Sequence, residues 1–181
     1  MIYKFVMLSD EVDNFVREIA IDAEATFFDL HNAILDSVGF VKDQMTSFFL
    51  CNEDWEKKEE ITLIEMNVGS EYDNYVMEDS VLSDFVSEED QKLLYVFDNI
   101  SDRVFFLELK EITDGKNLKK PVVALSIGEA PQQVTIDDDF ANILKDDFDE
   151  NFYGDEDYDI NELDEDGFEM DINSFDDDLR F

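Results

Sequence analysis

Cysteine, histidine, proline and positive charge are all scarce in this sequence. It has one Cys (Cys51), one His (His31), two Pro and six Gly among 181 residues. A single Cys excludes an internal disulfide framework, and one Cys with one His cannot complete a structural zinc site. A hydrolytic triad would have only one candidate base, and no Gly spacing fits a phosphate-binding loop. We therefore expect no enzyme activity, no catalytic residue, no metal and no cofactor.

Long apolar runs are also missing. No stretch approaches the roughly 20 apolar residues that a membrane helix requires. Residues 1–8 have one early Lys and reach Ser9-Asp10-Glu11 without a small-residue cleavage site, which indicates a first strand instead of a signal peptide. Together with the single Cys, this predicts a reducing, cytoplasmic location.

Negative charge is what the sequence has in excess. There are 49 acidic and 13 basic residues, a net charge of −36. Residues 1–134 carry 29 acidic and 11 basic side chains and residues 135–181 carry 20 and 2, so each part has a net charge of −18. Such a field repels phosphate backbones and anionic membranes, which are bound through Lys and Arg. We expect no direct nucleic-acid binding, no membrane contact, and basic proteins as partners.

Hydrophobic periodicity predicts the elements of a folded body over residues 1–134. Apolar spacing predicts a helix over 27–38, capped by Thr26 with Asp29 and ended by Gly39. Alternating or β-branched stretches predict a first hairpin and five later strands: 2–8 with 15–21, then 46–51, 61–66, 93–98, 104–112 and 122–127. Residues 52–60 are expected to form a polar connecting segment around Trp55, and residues 67–75 are expected to form a loop. The order predicts an α+β, β-grasp-like mixed sheet with one main helix.

Four segments of this body occur in a characteristic order. They are the first hairpin, the helix start Phe28-Asp29-Leu30-His31, the strand Tyr95-Val96-Phe97-Asp98 with its hairpin to Leu107-Glu108-Leu109, and the closing Gly128-Glu129-Ala130-Pro131. Over residues 2–133 this order resembles the plasmid pRiA-type open-reading-frame-three-like proteins. The resemblance implies an association with plasmids and mobile elements.

The chain departs from that family at two places. The hairpin reads Asn99 to Arg103 where the family tends to have Phe-Gly-Asp followed by Trp and His, and no Cys lies near the closing segment. No site of the relatives is therefore carried over. Some relatives have been called resolvases, but this chain shows no Arg-rich cluster around a nucleophilic Ser or Tyr, so that activity is not expected here.

Three isolated side chains in the body have a structural and a functional interpretation. We interpret His31 as a core-edge or surface residue held by one hydrogen bond, the alternative being a general base. We interpret Cys51 as a buried, inert thiol. Trp55, with Tyr72 and Tyr75, is expected to pack or anchor a loop, the alternative being a ligand groove.

Two clusters of charge also have alternative interpretations. Lys116, Lys119 and Lys120 are expected to solvate a loop, the alternative being contact with the chain's own tail. With Gly167 at the sixth position of a calcium loop, the twelfth position is Asn173 instead of Glu, which argues against a calcium site.

Residues 135–181 form an acidic tail interleaved with aromatic side chains. Like-charge repulsion predicts a largely disordered segment, in which 139–148 would become a short helix. The alternative to a binding segment is a tail that only keeps the protein in solution. Its last residues, Asp176, Asp177, Asp178, Leu179, Arg180 and Phe181, place an anion cluster beside an apolar residue and a terminal aromatic carboxylate.

This tip is similar to the acidic tip of bacterial single-stranded DNA-binding proteins, with Arg180 in place of Pro. The resemblance implies a docking peptide for replication, recombination and repair enzymes, in which Asp176 to Asp178 contact a basic rim and Leu179 and Phe181 enter an apolar pocket. We expect a non-enzymatic adaptor that binds through these five residues. The alternative is an acidic mimic of nucleic acid that occupies the groove of a basic protein. The sequence sets no oligomeric state.

Overall fold

The computed structural model describes residues 1–65 and 75–134. The sequence predictions for Tyr72, for most of the 67–75 loop, for helix 139–148, for the calcium-loop spacing at Gly167 and for the tip at 176–181 lie outside these residues. The boundary at residue 134 stays a prediction for the same reason.

The described residues form one eight-stranded sheet and two helices. The sheet order is β5-β4-β3-β6-β7-β1-β2-β8, and every neighbouring pair is antiparallel except β4 with β5. In chain order the elements are β1 (Ile2–Leu8), β2 (Val16–Asp22), α1 (Phe27–Val38), β3 (Ser47–Cys51), β4 (Lys57–Thr62), β5 (Tyr75–Val76), α2 (Leu82–Phe85), β6 (Lys92–Asp98), β7 (Arg103–Thr113) and β8 (Val122–Ile127). The expected mixed sheet with one main helix is confirmed at this level.

The first hairpin follows from strict alternation. Side chains along β1 and β2 alternate between buried and partly exposed positions, and the pairing runs from Ile2 opposite Asp22 to Leu8 opposite Val16. Because successive strand residues point to opposite faces, each strand buries one row of side chains, which is apolar in β1 and consists of Arg17, Ile19 and Ile21 in β2. The hairpin predicted from the sequence is confirmed, with β2 beginning one residue later.

Helix α1 has the boundaries that the sequence predicts. Thr26 Oγ1 accepts a hydrogen bond from the Asp29 backbone N–H, and the Asp29 carboxylate accepts one from the Thr26 N–H, which completes a capping box. Gly39 ends the helix in the left-handed conformation (φ 71°), which glycine adopts without steric cost.

The core lies between α1 and one face of the sheet, which we call the helix face. It is rich in aromatic side chains, and Phe27 packs edge-on against Phe48 at 5.3 Å between ring centroids. The largest fully buried side chains, by volume, are Tyr3, Tyr95, Phe5, Phe27, Phe48, Phe97, Phe105, Met7, Ile19, Ile21, Leu30 and Ile34. Each fully buried side chain of this size contributes about 1.5–3 kcal/mol. Six of the eleven Phe residues in the described part of the chain are buried in this core.

Strand β4 corrects two sequence predictions. The polar connecting segment expected over 52–60 is shorter than predicted, because β4 starts at Lys57. The strand expected over 61–66 is the end of β4 and stops at Thr62. Lys57 to Glu60 are all exposed, and only Ile61 and Thr62 are buried. An edge-proximal segment of charged residues carries no hydrophobic alternation, so its pairing with β3 depends on backbone hydrogen bonds that the pattern does not reveal.

Strand β8 lies at one edge of the sheet and has a bulge. Its residues pair with β2 from Ile127 opposite Val16 to Val122 opposite Ala20, and Ala124 is the extra residue between Val123 and Leu125. All six residues of β8 are exposed.

Neither of the two described helices has the length and apolar content of a membrane-spanning helix.

Candidate functional site

The single histidine lies in a buried polar cluster between α1 and two strands. The Tyr95 hydroxyl is 2.8 Å and the Thr46 hydroxyl 3.2 Å from His31 Nδ1. Burial, with a smaller effect of the nearby Lys42 charge, lowers the His31 pKa to about 4. Burial also raises the Tyr95 pKa. At neutral pH the cluster is therefore uncharged, and both hydroxyls lie within hydrogen-bonding distance of the same ring nitrogen.

This geometry corrects the interpretation of His31 as a core-edge or surface residue with one hydrogen bond. The side chain is only 2% exposed and has two hydroxyl partners, while Phe28 stacks on its ring at 5.7 Å. A general base at neutral pH needs a nitrogen within reach of substrate and a pKa near 7. His31 Nδ1 is occupied by hydroxyls, so the cluster acts as a structural link between α1, β3 and β6.

Cys51 is half-buried, whereas the sequence favoured full burial. Its thiol lies 3.6 Å from the carbonyl oxygen of Phe49, and burial raises its pKa. A raised pKa keeps the sulfur protonated at neutral pH, and the thiol is a poor nucleophile compared with the thiolate. The expectation of an inert thiol agrees with this electrostatic environment.

Trp55 and Tyr75 belong to different parts of the body and do not line a common groove. Tyr75 packs edge-on against Phe85 at 4.8 Å, whereas Trp55 packs edge-on against Phe106 at 5.0 Å. Trp55 has a positive φ of 65° and follows a turn in which the Asn52 carboxamide oxygen accepts the backbone N–H groups of Asp54 and Glu56. The groove alternative is therefore wrong for this pair, and loop anchoring describes Trp55.

An acidic cleft adjoins Trp55, with a volume of about 690 Å³. The Lys92 ammonium lies 5.0 Å from the Trp55 ring centroid and donates to the Glu53 carbonyl oxygen at 2.6 Å. Lys110 bridges Asp90 and Glu108 at 3.2 and 2.5 Å. The acidic residues of the lining are Glu53, Asp54, Glu88, Glu89, Asp90 and Glu108. Among residues 1–65 and 75–134 no group of three or more side chains is placed to hold a metal ion.

The face of the sheet opposite α1, which we call the outer face, has an apolar row across six strands. Directly paired residues share a face, so the pairings can be followed from strand to strand. Phe49 on β3 pairs with Leu94, Leu94 with Phe106, Phe106 with Leu8, Leu8 with Val16, and Val16 with Ile127. Leu8 and Ile127 are 44% and 47% exposed, so the row is open toward β8.

Two arginines have structural roles that the sequence analysis missed. Arg17 is 5% exposed and donates to four backbone carbonyl oxygens, those of Val16, Ser37, Ile127 and Gly128. Arg103 binds both carboxylate oxygens of Glu11 and the carbonyl oxygens of Gln132 and Gln133. The sequence offered one indication of these roles, which is that Arg is rare. The chain has only three Arg, and the third is Arg180.

The lysine cluster of the sequence analysis lies between β7 and β8. Lys116, Lys119 and Lys120 are exposed, and among the described residues none of the three forms an ion pair. The predicted partner-binding residues Asp176, Asp177, Asp178, Leu179 and Phe181 lie outside the described residues.

Comparisons with known proteins place the chain by family and fold. The crystal structure of MM3350, a protein of unknown function from Methanosarcina mazei Go1, has a TM-score of 0.51 and 20% sequence identity and covers 69% of this chain and 68% of that one. At that identity the likeness concerns the fold alone. No curated protein matches the chain. The family model for the plasmid pRiA4b ORF-3-like protein matches residues 2–177. The chain therefore belongs to the plasmid pRiA4b ORF-3-like family.

Proposed function

We propose that this protein is a non-enzymatic adaptor that docks into basic, apolar-lined pockets of DNA replication, recombination or repair proteins. The body over residues 1–134 displays an acidic arm over 135–181, and the contact is made by Asp176, Asp177, Asp178, Leu179 and Phe181. The observation that supports this is the sequence of the tip, which joins three consecutive carboxylates to an apolar residue and a Phe. Such a ligand fits a pocket with a cationic rim.

The charge distribution supports a basic partner. Residues 135–181 hold half of the net charge of −36 in about a quarter of the chain, so the arm attracts positively charged surfaces over a distance set by the Debye length. Specificity must come from elsewhere, because a field alone does not distinguish one basic protein from another. The apolar side chains of Leu179 and Phe181 supply that second element.

The test is a competition experiment with a purified repair enzyme that binds the single-stranded DNA-binding protein tip. Full-length protein is titrated against a fluorescent tip peptide bound to the enzyme, and displacement is followed by polarisation. Phe181→Ala is expected to raise the concentration needed by about tenfold or more, since a buried aromatic anchor is worth 2 kcal/mol or above. Phe175→Ala is the matched control, because it removes the same side chain just before the acidic run. Equal behaviour of the two variants would contradict docking by the tip.

The alternative proposal is mimicry of nucleic acid. It is favoured by the acidic cleft beside Trp55, because carboxylates cluster on the body as well as in the arm. A mimic would compete with DNA for a basic groove, would tolerate Phe181→Ala, and would weaken steeply as salt is added. The same titration, repeated with a labelled oligonucleotide at two salt concentrations, separates the two proposals.

We also propose that the body is a β-grasp-like arrangement in a cytoplasmic protein. A first hairpin followed directly by the main helix and then by further strands of the same sheet supports the first point. The single Cys, which is unpaired, supports the second.

A further inference from the structure

We propose that β8 is a self-association edge, on which a second copy of this chain adds its own β8 antiparallel to the first. The proposal concerns the body and does not depend on the proposed function of the tip.

The first support is the unprotected character of β8. In the described residues β8 has β2 on one side and no strand on the other, so its outward backbone groups form an open edge. Val122, Val123, Leu125 and Ile127 are 49%, 40%, 37% and 47% exposed. Proteins usually protect such edges with Lys, Pro or another covering element, yet β8 contains no charged residue and no Pro.

The second support is the charge of this segment. Residues 115–128 are the longest run in the chain without Asp or Glu, and the three basic residues in the run are Lys116, Lys119 and Lys120. Elsewhere the acidic surface of one copy would repel that of another, because the net charge is −36. At β8 that repulsion is locally absent, which makes this edge the place where two copies approach most easily.

The third support is the register. Antiparallel pairing about a two-fold axis between Ala124 and Leu125 is the one register that pairs all six residues of β8 with their counterparts. It places Val122 opposite Ile127 of the second copy and Val123 opposite Ser126. The register stops at the ends of the strand, because the chain bends at Lys120 and at Gly128, whose φ is 71°. Every pair in the register therefore joins uncharged side chains, and apolar pairs across strands stabilise the pairing.

The bulge makes that register geometrically possible. A continuous antiparallel sheet requires paired side chains to lie on the same face. In a regular strand Val122 and Ile127 would lie on opposite faces, because they are five residues apart. With Ala124 as the extra residue, both pair with outer-face positions of β2, Ala20 and Val16. Pairing of two copies would therefore extend the apolar row of the outer face from Ile127 to Val122 of the second copy.

The test is sedimentation equilibrium of the full chain between about 5 and 500 µM at physiological ionic strength, because a six-residue strand contact is small and we expect a dissociation constant in the micromolar range or weaker. Wild-type protein is expected to show a concentration-dependent dimer. Val122→Lys and Ile127→Glu are each expected to raise the dissociation constant by about tenfold, since each sets two charges opposite apolar side chains of the other copy. The combined variant Val122→Lys with Ile127→Glu places opposite charges across both ends of the contact and is expected to bring the dissociation constant back toward the wild-type value.

Ile100→Lys is the matched control. It also puts a Lys at an exposed apolar position, but in the turn between β6 and β7, so it is expected to leave the dimer unchanged. Leu125→Lys places a like charge beside the two-fold axis and is expected to leave the protein monomeric with its unfolding transition retained. A wild-type monomer at every concentration would overturn the proposal, and so would a dimer that persists in Leu125→Lys or is not restored in the combined variant. A monomer whose β8 amides are protected from hydrogen exchange would assign the edge to another occupant and would also overturn it.

Discussion

Arg17 on β2 donates from Nη1 to the carbonyl oxygen of Ile127 on β8 at 2.6 Å. The same guanidinium reaches Ser37 at the end of α1 and Gly128 after β8. Burial lowers its pKa, yet a guanidinium stays charged at any pH a protein meets. The Arg17 side chain therefore links β8 to β2 and to the end of α1.

Replacing Arg17 by Lys tests this link. An ammonium cannot reach four separate carbonyl oxygens, and the carbonyls that lose their partner remain partly buried, so we expect a loss of about 2 kcal/mol in the free energy of unfolding. Urea denaturation measures the loss, and faster amide exchange confined to β8 locates it. Lys58→Arg, at an exposed position on β4, is the control and is expected to change stability by less than about 0.5 kcal/mol. Unchanged exchange in β8 would contradict the link.

The His31 cluster predicts a dependence of stability on pH. The pKa of His31 is about 4 in the folded state and 6.5 in the unfolded state. Between these two values His31 is protonated in the unfolded chain but not in the native chain. Stability from this residue is complete above pH 6.5 and is lost as the pH falls toward 4. We expect the wild type to lose about 3 kcal/mol relative to His31→Gln between pH 7 and pH 4.

The comparison is made between the two proteins at each pH because the many carboxylates change charge over the same range. That contribution is common to both chains and cancels in the difference. Parallel stability curves would show that His31 is accessible to protons in the native state.

Gly128 and Gly115 form a matched pair for backbone strain. Both have a positive φ, 71° and 73°, but a Cβ at Gly128 would lie 2.5 Å from the Asn14 carbonyl oxygen, whereas a Cβ at Gly115 meets nothing within 4 Å. We expect Gly115→Ala to cost about 1 kcal/mol and Gly128→Ala about 3 kcal/mol, because only the second adds a backbone clash to the conformational cost. Urea unfolding of the two variants, with equal m-values, gives the difference. Equal costs would contradict the close approach.

Cys51 is expected to react slowly. Because burial raises the pKa of its thiol, alkylation by iodoacetamide at pH 7.5 should be several-fold slower in the native protein than in urea-unfolded protein. The rate should rise with pH in the native state. A native rate equal to that of the unfolded chain would show that the thiol is neither shielded nor electrostatically suppressed.

The elements with clear local signals were predictable from the sequence. The capping box at Thr26, the stop at Gly39 and the alternation along β1 and β2 are determined by neighbours in the chain, and the structure has them in place. Strand β4 was misplaced because Lys57 to Glu60 acquire their strand conformation only through β3. Tertiary pairing overrides weak local propensity at such positions.

The side-chain environments were harder to predict than the elements. The sequence separates His31 from Tyr95 by 64 residues, so nothing local reveals that a tyrosine hydroxyl occupies its ring nitrogen. The acidic cleft likewise collects residues from three separate stretches, which only the β3, β6 and β7 pairings bring together. Composition indicates an acidic surface but not where it becomes concave.

Self-association through β8 would also change how the proposed adaptor binds. A dimer carries two arms, and a partner with two basic pockets would be held by both. The second contact then forms at an effective concentration set by the span of the arms, which raises overall affinity without any new contact. Variants that abolish the dimer should lower avidity for a bivalent partner while leaving binding to a single immobilised pocket unchanged.

The extra residue at Ala124 lets β8 be one residue longer than the segment of β2 that it pairs with, without changing the faces on which its side chains lie. A version of the chain shorter by this residue would keep Val122 opposite Ala20 and Val123 opposite Ile19, because Val123 and Leu125 would then be neighbours that point to opposite faces. The two-fold axis would pass through Leu125 instead of between Ala124 and Leu125. Relatives that lack one residue at this point are therefore expected to keep the same apolar row and the same ability to pair with themselves, so a one-residue gap in an alignment would be neutral here.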